Sequence, residues 1–299
     1  ASSATLGEDL TGFGTAQDGF QIATVTFAGT DGETQEVTFT VEEDGAIEGA
    51  EEAVFALQRA DGATVGDPRT YTVVIGTLPL ESIRARPNLD VVTAEGVVTR
   101  SFGRLTYIQD ETAGLAIFAF DDTPFGMAVA NGQVGPGDRI QVTGKLCEFG
   151  VVGFPDAIEP GTGLKQITAP DDQCFDESDI LEGELEFEVL VDGDEDDLPA
   201  PQTITIAQLN AAGDGYESEL VRIDDLTIDP DGDFAFQASK TYTVMDPTGT
   251  GFLRTPSGSD TQIAGVPIPE GEFTFEGVIG QFRLENQLTP IEPTDILPE

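Results

Sequence analysis

The side chains of this chain that can do chemistry are almost all carboxylates. It holds 56 Asp and Glu against 13 Lys and Arg, and no histidine. Two acidic runs have the spacing of cation loops: Asp192-Gly193-Asp194-Glu195-Asp196-Asp197 and Asp229-Pro230-Asp231-Gly232-Asp233. Alternating Asp around a Gly lets several carboxylates converge on one hard cation such as Ca²⁺, which takes about six to eight oxygens. Asp229, Asp231 and Asp233 are therefore candidate ligands. Lys240 stands where an EF-hand loop starting at Asp229 needs its final Glu, so a hairpin turn and a solvated linker remain the competing reading of the two runs.

Without an imidazole there is no base for a Ser-His-Asp or Cys-His site, and no His metal ligand. Carboxylate-only hydrolysis survives that filter, but no pair of acids stands out from the rest. The chain reads as non-catalytic and without a resident cofactor, bound Ca²⁺ being the one candidate. Its two cysteines, Cys147 and Cys174, flank a Gly- and Pro-rich stretch. In an exported protein such a pair points to a disulfide, which closes a loop and stabilises by about 3.5 kcal/mol in the chain-entropy model. Two buried thiols are the alternative.

The charge itself limits partners. A net charge of −43 on 299 residues repels itself at low ionic strength and is screened in concentrated salt, where the Debye length falls to about 3 Å. This matches a salt-adapted protein whose surface holds hydration and cations. Nucleic acid is a poor partner, because phosphate binding relies on clustered Lys and Arg, and only three lysines (Lys145, Lys165, Lys240) are present. No stretch approaches the roughly 20 apolar residues of a membrane helix. The chain opens at Ala1 without a basic or apolar leader, as expected of an exported, extracellular or cell-surface protein after removal of its signal peptide.

Short alternating runs rich in Val, Ile, Thr and Phe recur between Gly, Pro and Asp clusters, the rhythm of sandwiches and barrels. Val37-Phe39-Val41, Tyr71-Val73-Ile75, Ile140-Val142 and Phe273-Phe275 are examples. One short helix is predicted near Pro124–Asn131, bridging two barrel strands. Composition breaks predict units at 1–80, 81–180 and 201–299, with a linker over Glu81–Asn88 and an acidic linker over 181–200.

Three stretches carry family likenesses. Thr24-Val25-Thr26-Phe27, Gly32-Glu33-Thr34, Val37–Val41 and Glu48-Gly49-Ala50-Glu51 resemble the Calx-beta pattern over residues 12–76. The resemblance implies a partly incomplete Ig-like sandwich, since only about thirteen residues remain for two leading strands of the family. It also implies Glu43, Asp44, Glu48 and Glu51 as candidate Ca²⁺ ligands. Tyr107-Ile108-Gln109-Asp110, Ala113–Phe118 and Gly137–Gly144 resemble the OB-fold domains of large secreted bacterial proteins. Tyr242–Asp246, Thr248-Gly249, Gly271–Gly277 and Gln287-Leu288 look like a diverged copy, with Glu219–Ile223 as its opening strand. The fold expected is all-β: the sandwich followed by two OB-like barrels.

OB barrels bind oligonucleotides on an outer face, and Arg100, Arg104, Tyr107 and Phe118 would lie there. Their acidic surroundings favour internal ion pairing instead. The function expected is a structural or self-associating exterior component: a filament, sheath, matrix or adhesin subunit. Self-association would proceed by addition of a strand from a second copy to the incomplete sandwich. The alternative is a soluble extracellular binding module, such as the non-catalytic part of a secreted nuclease system.

Overall fold

A computed structural model of the chain describes residues 10–11, 15–17, 20–29, 33–41, 51–57, 70–75, 78–149, 163–170, 184–257, 262–282 and 285–298. Two compact units result, Ala1–Leu78 and Pro79–Glu299. Strands dominate both, as the alternating sequence predicts.

The described strands of the first unit are β1 (Leu10–Thr11), β2 (Thr15–Gln17), β3 (Phe20–Ile22), β4 (Thr40–Val41), β5 (Glu51–Ala56) and β6 (Thr70–Ile75). They form three separate antiparallel ladders, β1 with β4, β2 with β3 and β5 with β6. Phe39 stacks on Phe55 at 4.9 Å between ring centres. Two expectations change here. Residues 33–39 are not a strand, and only Thr40–Val41 of the predicted run pairs. Leu10–Thr11 pairs with β4 and Thr15–Gln17 with β3, so short strands do form ahead of residue 20. Glu43, Asp44 and Glu48 lie outside the described residues, and Glu51 opens β5.

The second unit begins with α1 (Leu80–Arg84) and continues through β7 (Val91–Phe102), β8 (Leu105–Gln109), β9 (Gly114–Phe118), α2 (Pro124–Ala130), β10 (Arg139–Phe149), β11 (Leu164–Thr168) and β12 (Glu186–Val191). It then repeats itself: β13 (Gln202–Thr203), α3 (Ile206–Ala211), β14 (Leu220–Asp229), β15 (Thr241–Asp246), β16 (Gly249–Arg254), β17 (Phe273–Phe282), β18 (Glu285–Thr289) and β19 (Ile296–Pro298). In the first copy β7, β8, β9, β11 and β10 pair in a closed circuit, and β12 continues the edge of β10. In the second, β14, β15, β16, β18 and β17 close the same circuit, with β19 beside β17. Each circuit contains one parallel pair, β9–β11 and β16–β18. Two closed five-stranded barrels of OB-like order are the result, and closure removes the exposed sheet edges.

Alternation sends one set of side chains into each barrel. Val92, Ala94, Val98, Ile108, Leu115, Ile117, Ile140 and Val142 are buried in the first. Val221, Ile223, Tyr242, Val244, Leu253, Phe273, Phe275, Ile279 and Leu288 form the core of the second. The sharp β7–β8 hairpin turns at Gly103, whose φ of 50° suits a residue without a Cβ.

Both expected linkers are structured. The first half of Glu81–Asn88 lies on α1, whose Leu80 and Ile83 are fully buried. Residues 186–191 are the strand β12, and Gly193 donates from its backbone to Asp138 at 2.9 Å. An amphipathic turn and an alternating strand hide easily in such short, charged segments.

One device recurs in both barrels. Asp110 Oδ1 accepts from the backbone N–H groups of Thr112 and Ala113, and its Oδ2 accepts from the Leu80 N–H at the start of α1. Asp246 does the same with Thr248, Gly249 and the Ile206 N–H at the start of α3. Each aspartate shapes a hairpin turn and satisfies an orphan donor of the preceding helix. Burial alone would raise the Asp246 carboxyl, but hydrogen bonds from Thr248, Ile206 and Gly249 outweigh it and the pKa is lowered. Asp246→Ala is expected to cost about 2–3 kcal/mol, the range for hydrogen bonds to a charged acceptor. Urea denaturation at neutral pH checks this, and Asp246→Asn should cost less because it keeps a side-chain acceptor.

Candidate functional site

Of the sequence-predicted cation ligands, Asp229, Asp231 and Asp233 are described in the second unit, and Asp231 and Asp233 flank a lysine. Asp231 and Asp233 both pair with the Lys240 ammonium, at 2.9 and 2.7 Å. Tyr242 also donates its hydroxyl to Asp233 at 2.9 Å. Hydrogen bonds from Lys240 and Tyr242 hold the Asp233 carboxyl below its usual range, and hydrogen bonds to Asp233 and Asp231 push Lys240 up. Asp229 accepts from the Asp231 backbone, an ordinary turn contact. The ammonium thus sits among the carboxylates that a cation would have used.

The other acidic run behaves likewise: Asp194 accepts from the Asp196 N–H and Asp197 from the Asp194 N–H. Among the described residues, no cluster of three or more His, Cys, Asp and Glu side chains has the placement to hold a metal ion. Cys147 is disulfide-bonded, while Cys174 lies outside the described residues.

The outer face of the first barrel is where the residues converge, and what they meet is the second barrel. Tyr107 and Ala116, facing outward from β8 and β9, pack with Leu164, Leu220, Val278 and Ile291, and Phe102 and Leu105 lie against them. Tyr107 is 1% exposed. Arg100 donates through Nε and Nη2 to Asp295 at 3.0 and 2.9 Å. Asp295 is fully buried and also accepts from the Ile291 and Glu292 backbones. Arg104 stacks over Phe120 at 4.4 Å, and Phe118 meets the same ring edge-on. At Arg100 and Tyr107, the face that carries oligonucleotides in OB barrels is a joint between the two barrels, and Arg100 is internally ion-paired.

Polar groups rim this joint. Arg84 on α1 donates to the carbonyls of Gly114, Glu217 and Asp214 at 2.8, 2.6 and 2.9 Å, and its guanidinium lies 3.5 Å from the Glu217 carboxylate. Glu217 accepts from the Lys165 backbone at 2.7 Å. The Lys165 ammonium reaches Asn88 Oδ1 at 2.6 Å and Glu148 at 3.7 Å. Gln109 accepts from the Leu220 N–H at 2.7 Å across the joint. Gly114 lies so close to Ser218 that a Cβ there would run into the Ser218 backbone.

Burial sets the proton affinities in this rim. Glu217 is pushed up to about 7 by burial, against the opposing pull of Arg84. Glu219 is also pushed up to about 7 by burial, again against Arg84 and with help from Asp110. Burial lowers Lys165 although Glu148 and Glu217 favour its charged form. Burial, then Glu217, raises the Tyr107 hydroxyl.

The same surfaces differ in the two copies, so the joint cannot repeat itself. Strand registers place Thr243 and Phe252 of the second barrel where the first has Tyr107 and Ala116. They also place Val91 and Lys145 where the second barrel presents Leu220 and Val278. A lysine at the counterpart of a buried valine cannot complete the same apolar contact. Tyr242, read from sequence as the copy of Tyr107, sits one register position away. It points into its own barrel's core, because a one-residue shift reverses the face. Arg84, Glu217, Glu219 and Asp295 went unnoticed in the sequence, where they look like any other charged residue.

No family model matches the chain, and no curated protein matches it. Among solved structures, a murine DNA-binding protein bound with double-stranded DNA is 11% identical, covering 71% of this chain and 96% of its own, with a TM-score of 0.29. A likeness that slight carries no argument.

Arg100→Ala would leave Asp295 buried without its cationic partner and is expected to destabilise residues 79–299 by about 3–5 kcal/mol. Arg222→Ala, which removes an exposed pair with Asp224 and Glu276, should change little. Chemical denaturation of the two variants side by side checks the contrast.

Proposed function

We propose that the protein is a non-catalytic structural component of the cell exterior, its tandem barrels serving as a stiff element in a salty medium. The observation that carries this reading is the buried joint: the outer β8–β9 face of the first barrel packs against Leu220, Val278 and Ile291 of the second. A ligand face spent on a domain contact supports a mechanical role over a recognition role. The net charge of −43 supports a place where salt screens it, and cations are the natural surface partners. Self-association through the first unit belongs to the same reading, supported by its exposed Val25, Phe27, Val37, Leu57 and Tyr71.

A second reading, a soluble binding module, is favoured by one observation. The outer β15–β16 face of the second barrel carries a partly exposed Phe252 and Arg254 and an exposed Met245. The two readings separate in one set of measurements on purified protein. Electron microscopy in multimolar NaCl is expected to show ordered polymers. Titration with single-stranded DNA near 0.15 M salt is expected to show no binding, since few cations are available to release counterions. Monodisperse particles together with micromolar DNA affinity would overturn the structural reading in favour of the module.

A further inference from the structure

The joint between the barrels buries more acid than it can neutralise. Glu217 is 1% exposed at its centre. From α1 it faces Arg84, from β11 Lys165, from β10 Glu148, from β8 Tyr107, and from its own connecting turn Asp214. Glu219, 4% exposed, faces Arg84 and Asp110 and accepts from Gln202. Four acids, Glu217, Glu219, Glu148 and Asp214, thus lie around Arg84 and Lys165 in this rim, with Asp110 close behind. Two further polar atoms, Gln166 Oε1 and Ser218 Oγ, are buried in the residues flanking the Lys165–Glu217 contact and have no hydrogen-bond partner. A neutral carboxyl removes one negative charge from this acid-rich rim, so protonation suits its charge balance.

We propose that this joint is a proton-operated latch: with Glu217 neutral the barrels are held together, and with Glu217 ionised the joint loosens. The sign follows from linkage. A carboxyl raised from the ordinary 4.5 to about 7 in the closed state stabilises closure fully below 4.5, and that contribution is lost as pH rises through about 7. Glu219 acts in the same direction. The chain has no histidine, so no imidazole titrates in this window. The consequence for a structural element is stiffness that depends on external pH, firm in mild acid and yielding in alkali.

The test is hydrogen exchange at the Leu220 amide, whose bond to Gln109 crosses the joint. Read by NMR on the full chain at fixed high salt and corrected for intrinsic exchange, its protection should fall at least about tenfold between pH 5.5 and 8.5. In Glu217→Gln, a neutral stand-in for the protonated acid, the fall in protection between the two pH values should shrink markedly, leaving only the part that Glu219 contributes. A wild-type protection independent of pH would overturn the latch, as would a Glu217→Gln variant with undiminished pH dependence. If that variant fails to fold, the carboxyl ¹³C resonance of Glu217 in the wild type decides. A midpoint near neutrality that tracks the loss of Leu220 protection supports the proposal, and a midpoint in the usual carboxylate range contradicts it.

Discussion

Arg84 is the point on which the second unit turns. One guanidinium, carried by a five-residue helix, takes three backbone carbonyls from the two barrels and lies beside a buried carboxylate. A planar donor fork of this kind fixes geometry as well as supplying charge. The carbonyls come from Gly114 of one barrel and Asp214 and Glu217 of the other. Their shared donor makes the position of either barrel depend on the other. Around it lies an apolar contact of Tyr107, Ala116, Leu164, Leu220, Val278 and Ile291, which supplies the hydrophobic driving force while the polar rim sets register.

The two barrels share a strand order but differ on their outer faces, so the joint is not one step of an open-ended series. The Asp110 and Asp246 turns, the parallel pairs and the helix docking are shared. The outer faces are not. Lys145 and Val91 stand in the first copy where Val278 and Leu220 make the joint in the second. Heterologous contacts that can repeat generate open assemblies, and this substitution stops the repetition at one joint. Any assembly of copies must then use other surfaces.

Barrel order was legible because it rests on local signals. Alternating strands and the helix near Pro124–Asn131 announce themselves over a few residues. The face assignment was harder. Matching Tyr242 to Tyr107 puts both rings on one side, whereas matching the Asp-x-Thr turns, Asp110 to Asp246, shifts the copy by one and buries Tyr242 in its core. That turn spacing was available in the sequence and outweighs the aromatic match, because its side chain makes the turn. The joint itself had no local signature. Glu217 and Asp295 are two among 56 acids, and only long-range packing distinguishes them from solvated neighbours. The Asp229–Asp233 run left two readings open in the sequence for the converse reason: Lys240, seven residues beyond Asp233, closes back on it.

The central claim is that the barrels form one rigid body through a closed face. Nitroxide labels introduced at Met127 and Met245, one exposed site on each barrel, with the native disulfide intact, measure it most directly by double electron–electron resonance near pH 6. A single narrow distance distribution is the result expected of a closed joint. A broad distribution, spanning the range that two barrels on a free tether would sample, would contradict it.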